Sequence, residues 1–454
     1  MSRETIVALS TPPGRGGIAI VRASGDDAAA IAEQLSGRVP VPRFAQFTAL
    51  KSSAGELLDE GVMVYYESPH SYTGDDLVEF QIHGNPFIVE QLIAAITEHG
   101  ARIARPGEFT ERAFLAGKLD LNQAEAVADL IAGQSQRAVR SAQRTLKGEF
   151  GHAVAAMIDA IHEARAALEA QIDFADDVVA GDFAATEREA RARLTAALNT
   201  LLQRASSGAS LAEGANIAIV GAPNVGKSSL LNRFAASDRA IVAATPGTTR
   251  DLIDCDVLIN DIPVRVVDTA GLRQSPDEIE VEGMRRARGA ADVADLTLLV
   301  TENQSPEPRS SYIHELRAMT SFEDYDAAAE LLVIHNKIDQ CDEAARSETW
   351  DGVRHVWVSA LTGAGIAELG NVISISLGIE PTGENEIMAH GRHLHALRKT
   401  LDTLERIGQS AAHGQLDLVA EHYRHASRHL EAISGRYATE DMLGDIFSRF
   451  CIGK

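Results

Sequence analysis

The first part of the chain alternates short apolar runs, rich in β-branched residues, with turns rich in glycine and proline. Runs of this kind are typical of strands in a small mixed domain. A longer apolar stretch with helical spacing, residues 87–100, follows them. The pattern predicts a compact α+β domain over residues 1–118, with strands in 5–9, 17–22, 61–66 and 76–84.

From residue 119 onwards the pattern becomes helical. Apolar residues recur at intervals of three and four, which places them on one helix face. Two such sets are Leu121, Ala124, Ala128 and Ile131, and Leu194, Leu198, Leu201 and Leu202. The same pattern returns near residue 387 and continues to the end. We therefore predict one discontinuous helical domain, 119–213 with 373–454.

The stretch between these helical blocks, residues 214–372, alternates nearly continuous apolar runs with helical segments. Such runs suit strands of a parallel sheet that helices cover on both faces. The predicted strands are 216–221, 264–270, 295–300, 331–336 and 355–360. The expected fold is a doubly wound, mostly parallel sheet, inserted into the helical domain.

Charge and composition narrow the function. The formal net charge is −23, and such a surface repels phosphate backbones on average. The three cysteines, Cys255, Cys341 and Cys451, form no CxxC pair. The N-terminus lacks the pattern of a signal peptide, and no apolar run reaches the ~20 residues that span a bilayer. We expect a cytoplasmic protein without a membrane segment.

A phosphate-binding loop is predicted at residues 221–228, GAPNVGKS, which fits G-x-x-x-x-G-K-[ST]. It follows a predicted strand and opens a predicted helix, as this motif requires. Gly221 and Gly226 let backbone N–H groups face phosphates, and Lys227 can reach the β- and γ-phosphates. The Ser228 hydroxyl can ligate Mg²⁺.

Two further segments carry groups that sense the γ-phosphate. In DTAG, 268–271, Asp268 is placed to hold Mg²⁺ through water, and the Gly271 N–H to contact the phosphate. In PGTTRD, 246–251, a threonine can complete the Mg²⁺ shell. Thr249 is the candidate, and Thr248 is the alternative.

The base is read by NKID, residues 336–339. Asp339 offers two oxygens to the N1–H and exocyclic amine of guanine, whereas adenine presents the reverse pattern. Asn336 can bond the other edge of the purine, the Lys337 stem can lie along the ring, and SAL, 359–361, can supply backbone contacts. The full predicted GTP site is Asn224, Val225, Gly226, Lys227, Ser228, Ser229, Thr248, Thr249, Asp268, Thr269, Ala270, Gly271, Asn336, Lys337, Asp339, Ser359, Ala360 and Leu361.

Hydrolysis must differ from that in Ras-like enzymes, which orient water with a glutamine after the DTAG-type motif. Here that position is Leu272, so we expect one of the carboxylates in 277–283 to act instead. The missing positive charge could come from Arg250, for which a structural salt bridge is the alternative. A monovalent cation on the carbonyl oxygen of Asn224 could also supply it.

The motifs together carry a family resemblance. TIVALSTPPGRGGIAIVR opens the chain, RPGEFTERAFLAGKLDLNQAEAVADLI spans 105–131, and FCIGK ends it. With GAPNVGKSSLLN, PGTTRD and DTAGLR, they make the whole chain resemble the bacterial tRNA modification GTPases of the MnmE (TrmE) family, within the translation-factor-like class.

The resemblance implies a function and partners. The N-terminal domain would dimerise and bind 5-formyl- or 5,10-methylene-tetrahydrofolate. With the FAD-containing partner MnmG, in an α2β2 heterotetramer, the chain would add an aminomethyl or carboxymethylaminomethyl group to carbon 5 of the wobble uridine of certain tRNAs. K⁺ would promote the meeting of two Ras-like GTPase domains.

The resemblance also assigns residues to roles. Glu280 would orient the attacking water, with Lys227 and Arg250 as the other candidate catalytic residues. The K⁺ ligands would be Asn224, Ala243, Thr245 and Thr248, in a loop that Pro246 stiffens. The folate site would comprise Arg22, Glu79, Lys118 and Lys454. Cys451 would lie near it, as a reactive thiol or a packed side chain.

One alternative belongs to a different functional class. A GTPase switch could dock on ribosomes or membranes as an assembly factor and catalyse no other chemistry. Such a ribosome-docking factor would be expected to carry a basic RNA-binding module, which this acidic chain does not show. The sequence therefore favours the tRNA-modifying enzyme.

Overall fold

The computed structural model describes residues 4–173, 180–237, 254–268, 294–302, 306–320, 330–341, 343–379, 385–435, 439–450 and 452–453. They fall into two compact units, Met1–Ala128 with Arg428–Lys454, and Asp129–Ser427. These two units do not test the predicted domain bounds, which stay a prediction. Within the described residues, every helix is too short or too polar to cross a bilayer.

The first unit is built on a six-stranded sheet with the order β3-β4-β5-β2-β1-β6. All neighbours are antiparallel except β1 and β6. The strands are β1 (Ile6–Leu9), β2 (Gly16–Ser24), β3 (Ala45–Lys51), β4 (Leu57–Tyr66), β5 (Leu77–Gly84) and β6 (Arg102–Ile103). The four predicted strands are confirmed. The strands β3 and β6, at the two edges of the sheet, were not predicted.

Helices of the first unit bury apolar faces against this sheet and the C-terminal segment. They are α1 (Ala28–Ser36), α2 (Pro86–Glu98), α3 (Glu108–Leu115), the start of α4 (Leu121–Ala132) and α13 (Glu440–Ser448). The helix predicted in 87–100 is α2, which begins after the Asn85 cap. Leu121 and Ala124 pack with Phe447 and Phe450. Ile131, which the spacing places on the same helix face, lies beyond that cluster and is 49% exposed.

The second unit contains long helices and a seven-stranded sheet. The helices outside the sheet region are α5 (Gln136–Leu146), α6 (Glu149–Asp173), α7 (Ala180–Glu213), α11 (Gly391–Ala412) and α12 (Leu416–Glu431). In α7, Leu194, Leu198 and Leu201 are buried, and Leu202 is half-buried, as the spacing predicts.

The seven-stranded sheet has the order β12-β13-β11-β10-β7-β9-β8. Its five inner strands run parallel, and the edge strands β8 and β12 are antiparallel to their neighbours. The bounds are β7 (Ala215–Val220), β8 (Asp254–Ile259), β9 (Ile262–Asp268), β10 (Leu296–Glu302), β11 (Glu330–Asn336), β12 (Arg346–Trp350) and β13 (Val353–Trp357), with helices α8 (Lys227–Ser237), α9 (Arg309–Thr320) and α10 (Ile366–Ser376). The predicted mostly parallel sheet is confirmed.

The β8–β9 hairpin is held at its tip by the start of α5. The Asp261 carboxylate accepts hydrogen bonds from the backbone N–H groups of Arg137 at 2.7 Å and Gln136 at 3.3 Å. An anionic acceptor at a helix N-terminus is favoured by the unpaired N–H groups and by the helix dipole. Arg137 in turn forms a buried ion pair with Glu386.

The neighbouring residue of the turn, Asn260, contacts the opposite side. Its side-chain amide donates to Asn371 at 3.0 Å and to Ser374 at 3.2 Å, both on α10. Asn260 and Asp261 have φ values of 52° and 62°, a conformation that a two-residue hairpin turn requires and that these residue types tolerate. The closed end of the hairpin is therefore fixed by polar contacts on two sides.

Candidate nucleotide-binding site

The loop 221–228 leaves β7 and enters α8 through a path that needs glycine. A Cβ on Gly221 would lie 2.2 Å from the Val300 carbonyl oxygen, and one on Gly226 would lie 2.2 Å from Nδ2 of Asn336. Both have positive φ, 156° and 101°. Glycine is therefore required twice, once by the neighbouring strand β10 and once by the amide that ends β11.

Lys227 folds back over this loop. Its ammonium donates to the carbonyl oxygens of Gly221 at 2.8 Å and Ala222 at 2.9 Å, and the residue is 6% exposed. The side chains of Asn224, Ser228 and Ser229 are exposed. The loop therefore places a fixed cation beside the first backbone N–H groups of a helix, the arrangement that binds phosphates.

Asn336 joins this loop to a second one. Its Nδ2 donates to the Val225 carbonyl oxygen at 2.8 Å, and its Oδ1 accepts from the Ala360 N–H at 3.0 Å. The side chain is buried, so both hydrogen bonds are shielded from water. One amide thus ties the phosphate loop to the loop that follows β13.

Asp339 is positioned by the same second loop. The Ser359 hydroxyl donates to its Oδ1 at 2.5 Å, and Ser359 itself is fully buried. Lys337 has a positive φ of 67° and pairs with Glu302 at 2.7 Å. Ala360 is buried, whereas Leu361 is 78% exposed.

These groups meet at one edge of the sheet. The strands β7, β11 and β13 are parallel, so the loops after them lie at the same carboxyl edge. This is the edge where open α/β sheets bind ligands. Lys227 and Asp339 therefore belong to one surface.

Several predicted residues cannot be compared with this geometry. The backbone of Asp268 ends β9 beside β7. Outside the described residues lie Ala243, Thr245, Thr248, Thr249, Arg250, Thr269, Ala270, Gly271, Glu280, Cys451 and Lys454. Their proposed roles stay predictions.

A buried aromatic stack lies next to the loop that follows β13, residues 358–365, which is called the base loop below. His335 precedes Asn336 and stacks on Trp357 with ring centroids 4.4 Å apart, and its Nε2 lies 3.1 Å from Nδ1 of His355. Burial lowers the pKa of His335 to about 4, with a further contribution from His355. Burial also lowers the pKa of His355, and both imidazole rings form part of the core.

The predicted folate residues lie in the first unit. Arg22 on β2 donates to Oε1 of Glu79 on β5 at 2.7 and 3.1 Å, across a directly paired register. Its guanidinium also lies 5.7 Å from the ring centres of Tyr72 and Phe109. Lys118 donates to the Pro69 carbonyl oxygen. The structure thus brings Arg22 and Glu79 together, as partners of each other.

Most of the segment 105–112 is buried, from Gly107 to Thr110 and at Arg112. Glu108 is 2% exposed and accepts from Arg102 at 2.5 and 2.8 Å. Arg112 is 9% exposed and donates to the carbonyl oxygens of Glu4 and Ser24. Burial alone would raise the pKa of Glu108, but the hydrogen bonds from Arg102 and from the Arg105 N–H outweigh it and lower the pKa to about 2.

Two models of protein families match the chain. The model described as MnmE helical domain matches residues 121–451, and the one described as GTP-binding protein TrmE N-terminus matches residues 5–118. The tRNA modification GTPase MnmE of Coxiella burnetii is 42% identical over 454 residues, with 99% of each chain covered. The chain belongs to the MnmE (TrmE) family of tRNA modification GTPases. The resemblance read from the sequence is therefore confirmed.

Other relatives agree with this assignment. The tRNA modification GTPase MnmE of Azoarcus sp. is 43% identical over 452 residues, covering 99% of this chain and 98% of its own. Among solved structures, the G domain of the T. maritima FeoB iron transporter is 26% identical over 36% of this chain and 98% of its own, with a TM-score of 0.25 that adds nothing to the assignment. As a member of the MnmE family, the chain is a GTP hydrolase that acts in tRNA modification.

The sequence motifs did not indicate which other side chains contact the predicted site residues. Arg233 on α8 donates to the carbonyl oxygens of Ala360 and Leu361, yet in sequence it is an ordinary charged residue on a predicted helix. Tyr72 and Phe109 flank Arg22 from distant parts of the chain. Only the tertiary fold brings these side chains to the motifs.

Proposed function

We propose that this MnmE family chain binds and hydrolyses GTP at the carboxyl edge of the seven-stranded sheet, and uses the cycle to modify carbon 5 of the wobble uridine of certain tRNAs. The observation that carries the proposal is the Asn336 side chain, which bonds both the Val225 carbonyl and the Ala360 N–H. It ties the phosphate loop to the base loop, which supports the proposal that the two act as a single site.

Asp339 reads guanine in this proposal. Its carboxylate would accept from the N1–H and the 2-amino group, and the Ser359 hydroxyl holds one of its oxygens. The alternative base, adenine, presents an acceptor at N1, which a carboxylate rejects. Lys227 and the N-terminal N–H groups of α8 would bind the phosphates.

Two metal ions belong to the proposal. Mg²⁺ would be held by Ser228 and Thr249 and would neutralise charge on the β- and γ-phosphates. The exposed Ser228 hydroxyl at the start of α8 is a hard oxygen donor of the right kind. K⁺ would be held by Asn224, whose side chain is exposed, with Ala243, Thr245 and Thr248, and would supply the positive charge that other GTPases take from an arginine.

Glu280 would orient the attacking water, since Leu272 stands where Ras-like enzymes carry glutamine. Arg250 remains the protein-borne candidate for a positive charge at this step. Exchange of K⁺ for Na⁺ tests the cation directly. Equal GTP turnover in the two salts would remove the cation from the proposal and leave Arg250 in its place.

The folate site would lie in the first unit. Glu79, which pairs with Arg22, is suited to the donors of the pterin ring of a 5-formyl- or 5,10-methylene-tetrahydrofolate, and the basic Lys118 is suited to its glutamate tail. Support comes from the half-buried Tyr72 ring, whose centre lies 5.7 Å from the Arg22 guanidinium and which offers aromatic surface beside the charged pair. Lys454 and Cys451 complete the proposed site.

The partners follow from the same proposal. The chain would act as a homodimer with the FAD-containing protein MnmG, in an α2β2 complex that binds tRNA. The flavin on that partner would supply the redox chemistry, which the motifs of this chain do not provide. A cytoplasmic location is part of the proposal, because GTP and tRNA are both available there.

The experiment is mass spectrometry of tRNA nucleosides from a strain that lacks this gene, complemented with the wild type or with Glu280→Ala. We expect the carbon 5 modification of the wobble uridine to disappear, to return with the wild type, and to stay absent with the variant. Binding of GTP by the purified variant should be unchanged. A normal level of the modification without the gene would instead favour a ribosome- or membrane-docking switch.

A further inference from the structure

Arg233 connects the phosphate-binding helix to the base loop. It lies on α8, which begins at Lys227, and its guanidinium reaches the loop after β13. Nη2 donates to the Leu361 carbonyl oxygen at 2.6 Å, and Nε donates to the Ala360 carbonyl oxygen at 3.3 Å. A single side chain therefore holds two successive peptide groups of this loop.

The peptide group after Leu361 continues the connection. A trans peptide is planar, so its C=O and N–H point in opposite directions, and fixing one fixes the other. The N–H of that peptide belongs to Thr362 and donates to the Ser359 hydroxyl oxygen at 3.1 Å. The Ser359 hydroxyl donates to Asp339 at 2.5 Å. Arg233 is thus linked to the base-reading carboxylate through one peptide group and one hydroxyl.

Other hydrogen bonds hold the loop on both sides of this point, from the Ala360 N–H to Oδ1 of Asn336 at 3.0 Å and from the Gly363 N–H to the Ser359 carbonyl oxygen at 2.8 Å. Arg233 is the residue that binds the carbonyl oxygens of Ala360 and Leu361. Leu361 is 78% exposed, so its side chain does not anchor the loop in the core. A Cβ on Gly363 would lie 3.3 Å from Nη2 of Arg233, which shows that the guanidinium lies close against the loop backbone. Gly363 also has a positive φ of 91°. Arg233 therefore fixes the direction of the Ala360 and Leu361 carbonyl groups, together with the hydrogen bonds of the neighbouring N–H groups.

We propose that Arg233 is a positioning residue for guanine recognition, acting on Asp339 through the Leu361–Thr362 peptide and Ser359. The inference rests on the proposed role of Asp339. An arginine suits this task because its planar fork can donate to two carbonyl oxygens at once, whereas a lysine ammonium is a single point of charge. The contact also fixes the distance between α8 and the base loop.

The test compares Arg233→Met with the wild type by isothermal titration calorimetry of GDP and IDP. Inosine lacks the 2-amino group and so makes one contact fewer with Asp339. In the variant, we expect the GDP affinity to fall roughly fivefold, the IDP affinity to fall less, and the GDP-to-IDP preference to narrow accordingly. The kcat at saturating GTP should stay within about a factor of two, because the phosphate loop is untouched.

Two further variants separate positioning from stability. Arg233→Lys keeps the charge but loses the planar fork, so its GDP-to-IDP preference should lie between those of the wild type and Arg233→Met. It serves as the test if the Met variant fails to fold. Arg265→Met is the matched control, because Arg265 is exposed and, within the part of the chain that the structure describes, forms an ion pair with Asp256 on the sheet edge at 3.2 Å. It should leave the preference unchanged.

The outcomes are distinct. A general loss of stability would lower the fraction of active molecules and leave the ratio of the two affinities as it is. An unchanged GDP-to-IDP ratio in folded Arg233→Met, or in Arg233→Lys where the Met variant does not fold, would overturn the positioning role and leave the proposed function standing. A wild type that binds GDP and IDP equally would overturn the base-reading part of the proposed function, and this inference with it.

Discussion

The phosphate loop 221–228 and the segment 105–112 both belong to the sequence that marks this family, but they use polar residues in opposite ways. The loop leaves Asn224, Ser228 and Ser229 exposed at the carboxyl edge of a sheet. The segment buries Glu108 and Arg112 and pairs them with groups of the same unit. A family signature can therefore mark either a chemical site or a structural contact. The burial and the partners of its polar side chains distinguish the two.

The largest effect should come from the loop. Replacement of Lys227 by alanine removes the cation that folds over the phosphate-binding backbone, so GTP turnover should fall on the order of a hundredfold or more. Hydrogen exchange in α3 should stay at the wild-type level. The control is Lys399→Ala, an exposed residue on α11. Turnover above a tenth of the wild-type rate would place the phosphate contacts elsewhere.

A substitution in the segment 105–112 should lower stability and leave GTP turnover unchanged. Glu108→Gln leaves Arg102 and Arg112 without their shared carboxylate, and we expect the first unit to lose about 3 kcal/mol of unfolding free energy, the lower end for a broken buried pair because the Arg102 side chain is 37% exposed. Hydrogen exchange of α3 peptides measures this loss. GTP turnover per folded molecule should not change.

The matched control for that variant is Glu111→Gln. The Glu111 side chain pairs with Arg105 at 3.0 Å and is 22% exposed, so its loss should cost less than about 1 kcal/mol. If Glu108→Gln were as mild as this control, the segment would have no architectural role. The contrast between the segment 105–112 and the phosphate loop would then no longer hold.

Lowering the pH should destabilise the second unit before the first. The pKa of His335 is lowered to about 4 from an ordinary 6.5, so the unfolded chain takes up the proton first. The stability that His335 contributes is complete above pH 6.5 and is lost between pH 6.5 and 4, at up to about 1.4 kcal/mol per pH unit. The carboxylate of Glu108, with a pKa of about 2, keeps its contribution above pH 4.5 and loses it as the pH falls through 2.

Tryptophan fluorescence can follow this loss, since Trp350 and Trp357 are the two tryptophans of the chain and lie on β12 and β13. Urea unfolding should therefore show the seven-stranded sheet weakening from pH 6.5 to 4 while α3 keeps its exchange protection. His335→Gln should flatten the pH dependence in that window. The same slope in wild type and variant would assign the acid sensitivity to other groups.

The smallest effect concerns the hairpin tip. Asp261→Gly keeps the positive φ but removes the acceptor for two N–H groups of α5, so the second unit should lose about 1 kcal/mol. Asp261→Asn keeps an acceptor and the backbone conformation, and should lose less than half as much. Urea unfolding followed by tryptophan fluorescence measures both. Equal losses in the two variants would mean that the carboxylate's charge matters more than its hydrogen bonds.

The sequence predicted the elements that are buried or chemically marked. The inner strands of the seven-stranded sheet are continuous apolar runs because helices cover both faces, and the motifs lie at their ends. The edge strands escaped prediction because one face, or both, meets solvent. β12 reads RSETW and is mostly exposed, which in sequence resembles a loop.

Pairings between distant residues could not be predicted. Nothing in the sequence says that Arg22 faces Glu79 across two strands, or that Ser359 holds Asp339, because each pair depends on strand register. The signature 105–131 indicated a family but gave no sign that Glu108 is an internal counter-charge. Residues that act through contacts, such as Arg233, carry no pattern of their own.

The anchored β8–β9 hairpin has a mechanical consequence. Its strands join the segment that ends with PGTTRD to the one that begins with DTAG, while Asn260 and Asp261 clamp the far end to α10 and α5. A ribbon clamped at one end cannot slide as a rigid body. Any rearrangement at its open end must therefore bend or twist the two strands. The helices α5 and α10 would then receive strain rather than a displacement.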